Sequence, residues 1–176
     1  MAESNIREGT QARAWATIFM AGGTAGAIDF LYASTMFVIA GQPATRAWMG
    51  VAAALFGKNM VIEVGLPMAV VGAALHFLIT ISAAAIFYVA ATRQPLLLKH
   101  RLASAVVFGL LFFLAMNYVI VPLSLIGRPI YVGAGRIARE LLTHIIVIGL
   151  PISLITAWRL DGTRPAESGR RLAESA

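Results

Sequence analysis

Four stretches of this chain are too apolar and too long to present a solvated face: residues 15–40, 64–91, 102–126 and 141–158. A helix rises about 1.5 Å per residue, so about 20 residues cross the roughly 30 Å of a bilayer's hydrocarbon core. Each run reaches or approaches that length. The first is also longer than the apolar core of a signal peptide, which occupies about 7–15 residues, so it reads as a retained helix. The predicted fold is therefore all-α: a polytopic membrane protein with four transmembrane helices.

Composition agrees. Of 176 residues, 59% are hydrophobic and 12% charged, with a mean hydropathy of +0.81. A soluble domain carries roughly 25% charged residues to stay in water. The chain has no cysteine, which removes disulfides, thiolate chemistry and Cys-ligated zinc or iron–sulfur clusters. Its net charge of +6 comes from basic residues scattered singly or in small groups. No aromatic residues are interleaved with them, so they read as topology signals and headgroup contacts rather than a nucleic-acid surface. The lipid bilayer is the expected partner, with other membrane subunits or a second copy of the chain as further candidates.

Between the first two runs, residues 47–57 form an apolar segment too short to cross. It predicts a short interfacial or re-entrant helix over about 45–58, with Trp48 and Phe56 at the headgroup boundary. Residues 1–14 are polar and read as frayed or interfacial. Residues 1–160 form one transmembrane domain, and 161–176 read as a disordered cytoplasmic tail, being polar and rich in small residues. With four spans, both termini and the 92–101 loop share one side. That side holds nine Lys and Arg (Arg7, Arg13, Arg93, Lys99, Arg101, Arg159, Arg164, Arg170, Arg171). The other holds five (Arg46, Lys58, Arg128, Arg136, Arg139), and the excess favours cytoplasmic termini.

Helices in lipid gain little from hydrophobic burial against one another, so close backbone approach matters more. Gly22 and Gly26 form a small-xxx-small pair in the first span, and Gly72 offers a similar surface in the second. These suit packing within one bundle or between two copies. Pro67, Pro122 and Pro151 should each free a carbonyl four residues earlier, at Glu63, Tyr118 and Val147.

The strongly polar side chains inside the spans are unevenly placed. Counting from the outer ends, His144 lies about 5 Å deep, Asn117 about 13 Å, Asp29 about 16 Å and His76 about 18 Å. Glu140 and Glu63 stand near the rim. The inner half reads as nearly pure hydrocarbon. A vestibule lined by Asp29, His76, Asn117, Tyr118, Glu140 and His144 follows as an expectation. A carboxylate near the bilayer centre costs at least about 2.5–3.5 kcal/mol against lipid, so Asp29 should find a partner in His76, Asn117 or Tyr118. Asp29 and Asn117 serve equally well as interhelical hydrogen-bond glue. Glu140 and His144, four residues apart, share a helical face. The first would cap the helix, and the two side chains would couple directly or through one water.

No nucleophile–base pair appears, so an enzyme is not expected. The unequal depths of His76 and His144 disfavour haem between them. Glu63, Glu140 and His144 lie near one rim, but they form no dense ligand motif and are weak metal candidates. No cofactor is expected.

Three stretches carry a family resemblance: "LHFLITISAAAIFY", "VPLSLIGRP" and "RELLTHIIV". In order over residues 70–150, they resemble the YagU-like group of small bacterial inner-membrane proteins. The matching positions are His76, Tyr88, Pro122, Leu123, Glu140 and His144. The first span matches only in its glycine–alanine character, and 41–63 differs. The resemblance implies an inner-membrane address and a role for His76, Glu140 and His144; it supplies no reaction. The chain thus reads as a non-enzymatic inner-membrane protein, alone or as a subunit of a larger complex. The alternatives are a proton-linked carrier or channel using the outer vestibule, and a haem- or metal-binding membrane protein.

Overall fold

The computed structural model describes residues 2–161, with side chains described from residue 8 onward. The tail expected to be disordered lies, from 162 on, outside the described residues. No strand occurs among them, and four helices are long and apolar enough to span: Glu8–Ile39, Pro67–Arg93, Arg101–Leu123 and Ala134–Asp161. The chain is a multi-pass membrane protein.

Helix α1 runs over Ala2–Ile39. Residues 2–13, expected to fray or lie at the interface, are helical and continuous with the first span; their Ala, Glu, Gln and Arg favour helix, whereas Ser4, Asn5, Gly9 and Thr10 favour it less. Gly41, at φ 72°, reverses the chain. Helix α2 (Thr45–Phe56) and helix α3 (Lys58–Val64) follow, each closed by a glycine of positive φ, Gly57 at 81° and Gly65 at 74°. Only glycine adopts that conformation without steric cost.

Helix α4 (Pro67–Arg93) begins at Pro67, three residues later than the apolar pattern suggests. Pro67 was expected to lie within a span and free the Glu63 carbonyl. It occupies the first helical position, where its missing N–H would have no partner anyway. A single turn, α5 (Leu96–Lys99), leads into α6 (Arg101–Leu123). Helix α7 (Ala134–Asp161) starts seven residues before the expected 141.

Pro122 and Pro151 do fall within spans, and both follow a wide π turn: Met116–Ile120 in α6 and His144–Gly149 in α7. A proline ring presses on the carbonyl four residues before it. The extra residue of a π turn widens the helix there, so these two prolines sit in local bulges.

The spans pack antiparallel along glycine seams. A Cβ at Gly22 would come 2.5 Å from the Ile81 Cα, and one at Gly26 would come 2.6 Å from Thr80 Oγ1. Gly72 lets the Trp48 carbonyl of α2 rest on α4. Gly109 does the same for α6 against α7, where a Cβ would meet the Ile145 Cα at 2.6 Å, and Gly149 admits the Ala105 carbonyl. In lateral order the helices run α2, α4, α1, α7, α6. Helices α4 and α6 do not lie side by side. They meet through the Phe87 and Phe108 rings, 5.0 Å apart, toward the end that carries residue 161 and the 94–100 connection. We call this the terminal end, and the opposite end, with the 40–66 and 124–133 connections, the distal end.

The terminal half is closed by small and aromatic side chains, among them Ala21, Ala84, Phe87, Ala91, Ile152 and Ala157. This half was expected to be nearly pure hydrocarbon, but it also holds buried hydroxyls. Thr17, Thr80, Ser104 and Ser153 are buried there and donate to backbone carbonyls of Arg13, Phe77, Leu97 and Arg101. The outward faces, including Leu31, Val70, Ile86 and Leu123, are exposed and apolar, as a lipid-facing belt requires.

Trp48 was expected at the headgroup boundary, yet it is only 5% exposed. Its ring stacks on Phe30 at 4.2 Å and its indole N–H donates to Ser34 Oγ at 3.1 Å. Helix α2 lies against α4 near Gly72, about 7–8 Å along that span. Leu125 N–H, donating to the Ala54 carbonyl at 3.0 Å, ties its end to the 124–133 connection.

Candidate functional site

The side chains singled out in the spans fall into three local arrangements in the distal half. At the first, α1 and α4 meet. His76 is buried, with Nε2 3.0 Å from the Gly26 carbonyl oxygen and Nδ1 3.8 Å from Asp29 Oδ2. A carbonyl only accepts, so Nε2 carries the hydrogen. A neutral imidazole then turns a bare Nδ1 lone pair toward the carboxyl. That arrangement is favourable only if one proton is present, on Nδ1 as imidazolium or on Asp29 as acid. The two groups face each other at 3.8 Å, just beyond hydrogen-bond distance. The imidazole is packed by Trp48 at 4.9 Å and Phe77 at 5.4 Å.

At the second arrangement, Asn117 in the π turn of α6 grips the 124–133 connection. Its Nδ2 donates to the Tyr131 carbonyl at 3.1 Å and its Oδ1 accepts from the Tyr131 N–H at 3.0 Å. Asn117 was expected near Asp29 or as glue between helices. It joins a helix to a loop instead, because both backbone groups of Tyr131 would otherwise be unpaired. Tyr131 is thereby placed over Phe113, with ring centres 6.3 Å apart. Tyr118, the neighbour of Asn117, is 45% exposed and meets Phe113 edge-on, so it faces outward rather than into a vestibule.

The third arrangement belongs to α7. Glu140 is buried, with Oε1 3.1 Å from both Nε and Nη2 of Arg139. His144 Nδ1 donates to the backbone carbonyl of Glu140 at 2.8 Å. The carboxylate and imidazole were expected to couple directly or through one water. They are linked instead through the backbone of residue 140, since the adjacent guanidinium takes the carboxylate. Nor is Glu140 a cap, because the helix already begins at Ala134. The His144 ring lies 5.3 Å from Phe113 and 5.9 Å from Phe112. Thr143 joins α7 to α1: its Oγ1 is 3.0 Å from the Arg139 carbonyl and 3.2 Å from the Tyr32 hydroxyl. Thr143 has one hydrogen and the carbonyl needs it, so the Tyr32 phenol donates between the two hydroxyls.

The three arrangements are electrostatically one. His76, His144 and Glu140 all act on Asp29. In the connection outside the spans, burial pushes the Tyr131 phenol well above its ordinary value. The negative charges of Glu140 and Asp29 push the same way, and Arg139 opposes them. Glu63 does not join: it is exposed on α3, and among the described residues no three His, Asp or Glu converge to hold a metal.

Tyr32, Tyr131, Arg139 and Thr143 were not singled out from the sequence. Thr143 carried one legible signal, since it stands four residues after Arg139, as His144 does after Glu140. No family model matches the chain, and no curated protein and no solved structure matches it. The likeness carried by His76, Tyr88, Pro122, Leu123, Glu140 and His144 rests on those residues alone.

Proposed function

We propose that this chain is a non-enzymatic protein of the bacterial inner membrane, with cytoplasmic termini. Its polar cluster would be a one-sided receptor site, taking up a proton or a small ligand from the periplasmic face without passing it across. One observation carries this reading. Among the described residues, the carboxylates and imidazoles packed within the bundle, Asp29, His76, Glu140 and His144, lie in the distal half, while the terminal half holds the Tyr88 phenol and Arg159, whose Nε donates to Thr17 Oγ1. The terminal half is packed around Phe87 and Ile152, and four of its hydroxyls are spent on backbone carbonyls. An intramembrane ionisable residue costs several kcal/mol unless it faces the bundle or water and finds a partner, and a conduction path would need such groups on both sides.

The test is flux. Proteoliposomes holding the chain under a pH gradient should leak protons no faster than empty ones. Asp29 should nevertheless react with a carboxyl-directed probe added from the distal side alone. A gradient collapsed by the wild type but not by Asp29→Asn refutes the reading. A proton-linked carrier is the second reading, favoured by the approach of His76 Nδ1 to Asp29 at 3.8 Å. It requires the packed terminal half to open.

A further inference from the structure

The terminal end carries an open groove of about 590 Å³, away from the three distal arrangements. Gln94, Pro95, Leu96, Leu98 and Lys99 line it from the connection after α4, and Asp161 borders it from the end of α7. Its wall is firmly held. Pro95, at φ −58°, starts the single turn α5. Leu98 is buried in the same core as Ala91 and Ala157. Ser104 Oγ donates to the Leu97 carbonyl at 2.9 Å, and Ser153 Oγ to the Arg101 carbonyl at 2.8 Å. Helices α6 and α7 thus pin both ends of the corner, while Gln94, Leu96 and Lys99 stay exposed.

Tryptophan sets the depth of the groove. Trp158 is exposed on α7, three residues before Asp161, and Trp15 is exposed on α1 at the same end. Exposed indoles settle at the headgroup level of a membrane. Three residues are about 4.5 Å of helix, so Asp161 stands among the phosphates of the surrounding lipid. Leu96, 62% exposed although it lies beyond the end of α4, gives the groove an apolar lip. A soluble ion would leave that lip bare, whereas the glycerol end of a lipid covers it.

The lining carries one charge of each sign, Lys99 and Asp161, with the Gln94 amide as a further donor. Arg93 and Arg101, neighbours of the lining in sequence, are exposed and make the corner basic. A purely anionic headgroup would meet Asp161 as a like charge. A zwitterion matches both: its phosphate accepts from Lys99 and Gln94, and its own cation meets Asp161. A carboxylate has about four acceptor sites, so it takes an added N–H alongside its other partners. A primary ammonium has N–H groups to give and a quaternary one has none, so Asp161 separates the two.

We propose that this groove binds the headgroup of one aminophospholipid of the phosphatidylethanolamine class, with its phosphate on Lys99 and its ammonium on Asp161. The site lies at the opposite end of the bundle from the receptor cluster and stands independently of that reading.

Native mass spectrometry tests this on the full chain in a mild detergent carrying equimolar phosphatidylethanolamine, phosphatidylcholine and phosphatidylglycerol. The expected result is one saturating phosphatidylethanolamine adduct, favoured about threefold over each of the others, the scale of one exposed charge pair. Lys99→Gln should lower it about fivefold, the gain of one basic side chain beside lipid phosphate. Asp161→Asn should bring phosphatidylethanolamine down to the level of phosphatidylcholine. Lys58→Gln, which removes an exposed cation at the distal end, should change nothing. Both lining side chains are exposed, so their variants keep the core, and the wild-type ranking decides the proposal even without them. Equal binding of phosphatidylethanolamine and phosphatidylcholine by the wild type overturns it. So does a preference for phosphatidylglycerol, which marks a merely basic surface. A selectivity that survives Asp161→Asn, or binding undiminished by Lys99→Gln, overturns it as well. Displacement of the lipid by soluble phosphoethanolamine at matched concentration would show a site for the free headgroup and refute the lipid assignment.

Discussion

Replacing Asn117 with alanine should loosen one connection and leave the bundle standing. Asn117 is 1% exposed and makes two hydrogen bonds, both to the backbone of Tyr131, at 3.1 and 3.0 Å. A neutral hydrogen bond is worth about 0.5–1.5 kcal/mol net, and side-chain bonds between transmembrane segments average about 0.6. Two such bonds place the loss at about 1–3 kcal/mol. The Tyr131 N–H and C=O would have to find water, which the distal end supplies, so the larger penalty for dry unpaired groups does not apply. The effect is local because Asn117 ties α6 to the 124–133 connection rather than to another span. Hydrogen exchange in nanodiscs should therefore show the Tyr131 amide opening about 5- to 150-fold more often, with amides of Ala83 and Ile152 unchanged. Asn117→Asp keeps the acceptor for the Tyr131 N–H and should fall between. Unchanged Tyr131 exchange, or faster exchange spread through all four spans, refutes the reasoning.

Gly72→Leu should expel helix α2, since even a Cβ at that position overlaps the Trp48 carbonyl. Trp48 would leave the Phe30 stack, and the loss of that stacking should appear as a red-shifted, quencher-accessible component in tryptophan fluorescence. Tyr131 should resist ionisation, because burial and two nearby carboxylates raise its value. The unfolded chain's phenol ionises near pH 10 and the folded one does not, so stability is retained below that pH and declines above it. Tyr131→Phe should remove that share of the alkaline decline, and a phenolate absorbance from Tyr131 at its ordinary value would contradict this. Nitrogen-15 NMR should find His76 protonated at Nε2 and His144 protonated at Nδ1, as their carbonyl partners demand. A swapped tautomer at His76 would contradict its bond to the Gly26 carbonyl.

Local chemistry settles the number of spans in this protein. A run of about 20 apolar residues has no stable place but lipid, whatever its neighbours do. The sequence also shows that Asp29, His76, Asn117, Glu140 and His144 are polar groups in apolar runs, because polarity and position need no partner to be seen. Partners do need one. Glu140 looks like the natural mate of His144 until α7 proves to begin at Ala134, which brings Arg139 onto the same carboxylate and leaves the imidazole the backbone carbonyl. Tyr131 looks like an ordinary loop residue until Asn117, fourteen positions earlier, clamps its backbone. Trp48 suits an interface by composition, but Gly72 lets α2 sink against α4 and draws the indole onto Phe30. The π turns at 116–120 and 144–149 arise from how Pro122 and Pro151 are accommodated within packed helices. Hydrophobicity is a property of a segment, so the chain alone decides that these helices enter the bilayer. Hydrogen bonding and close packing are properties of pairs, and only the folded arrangement decides which residues meet.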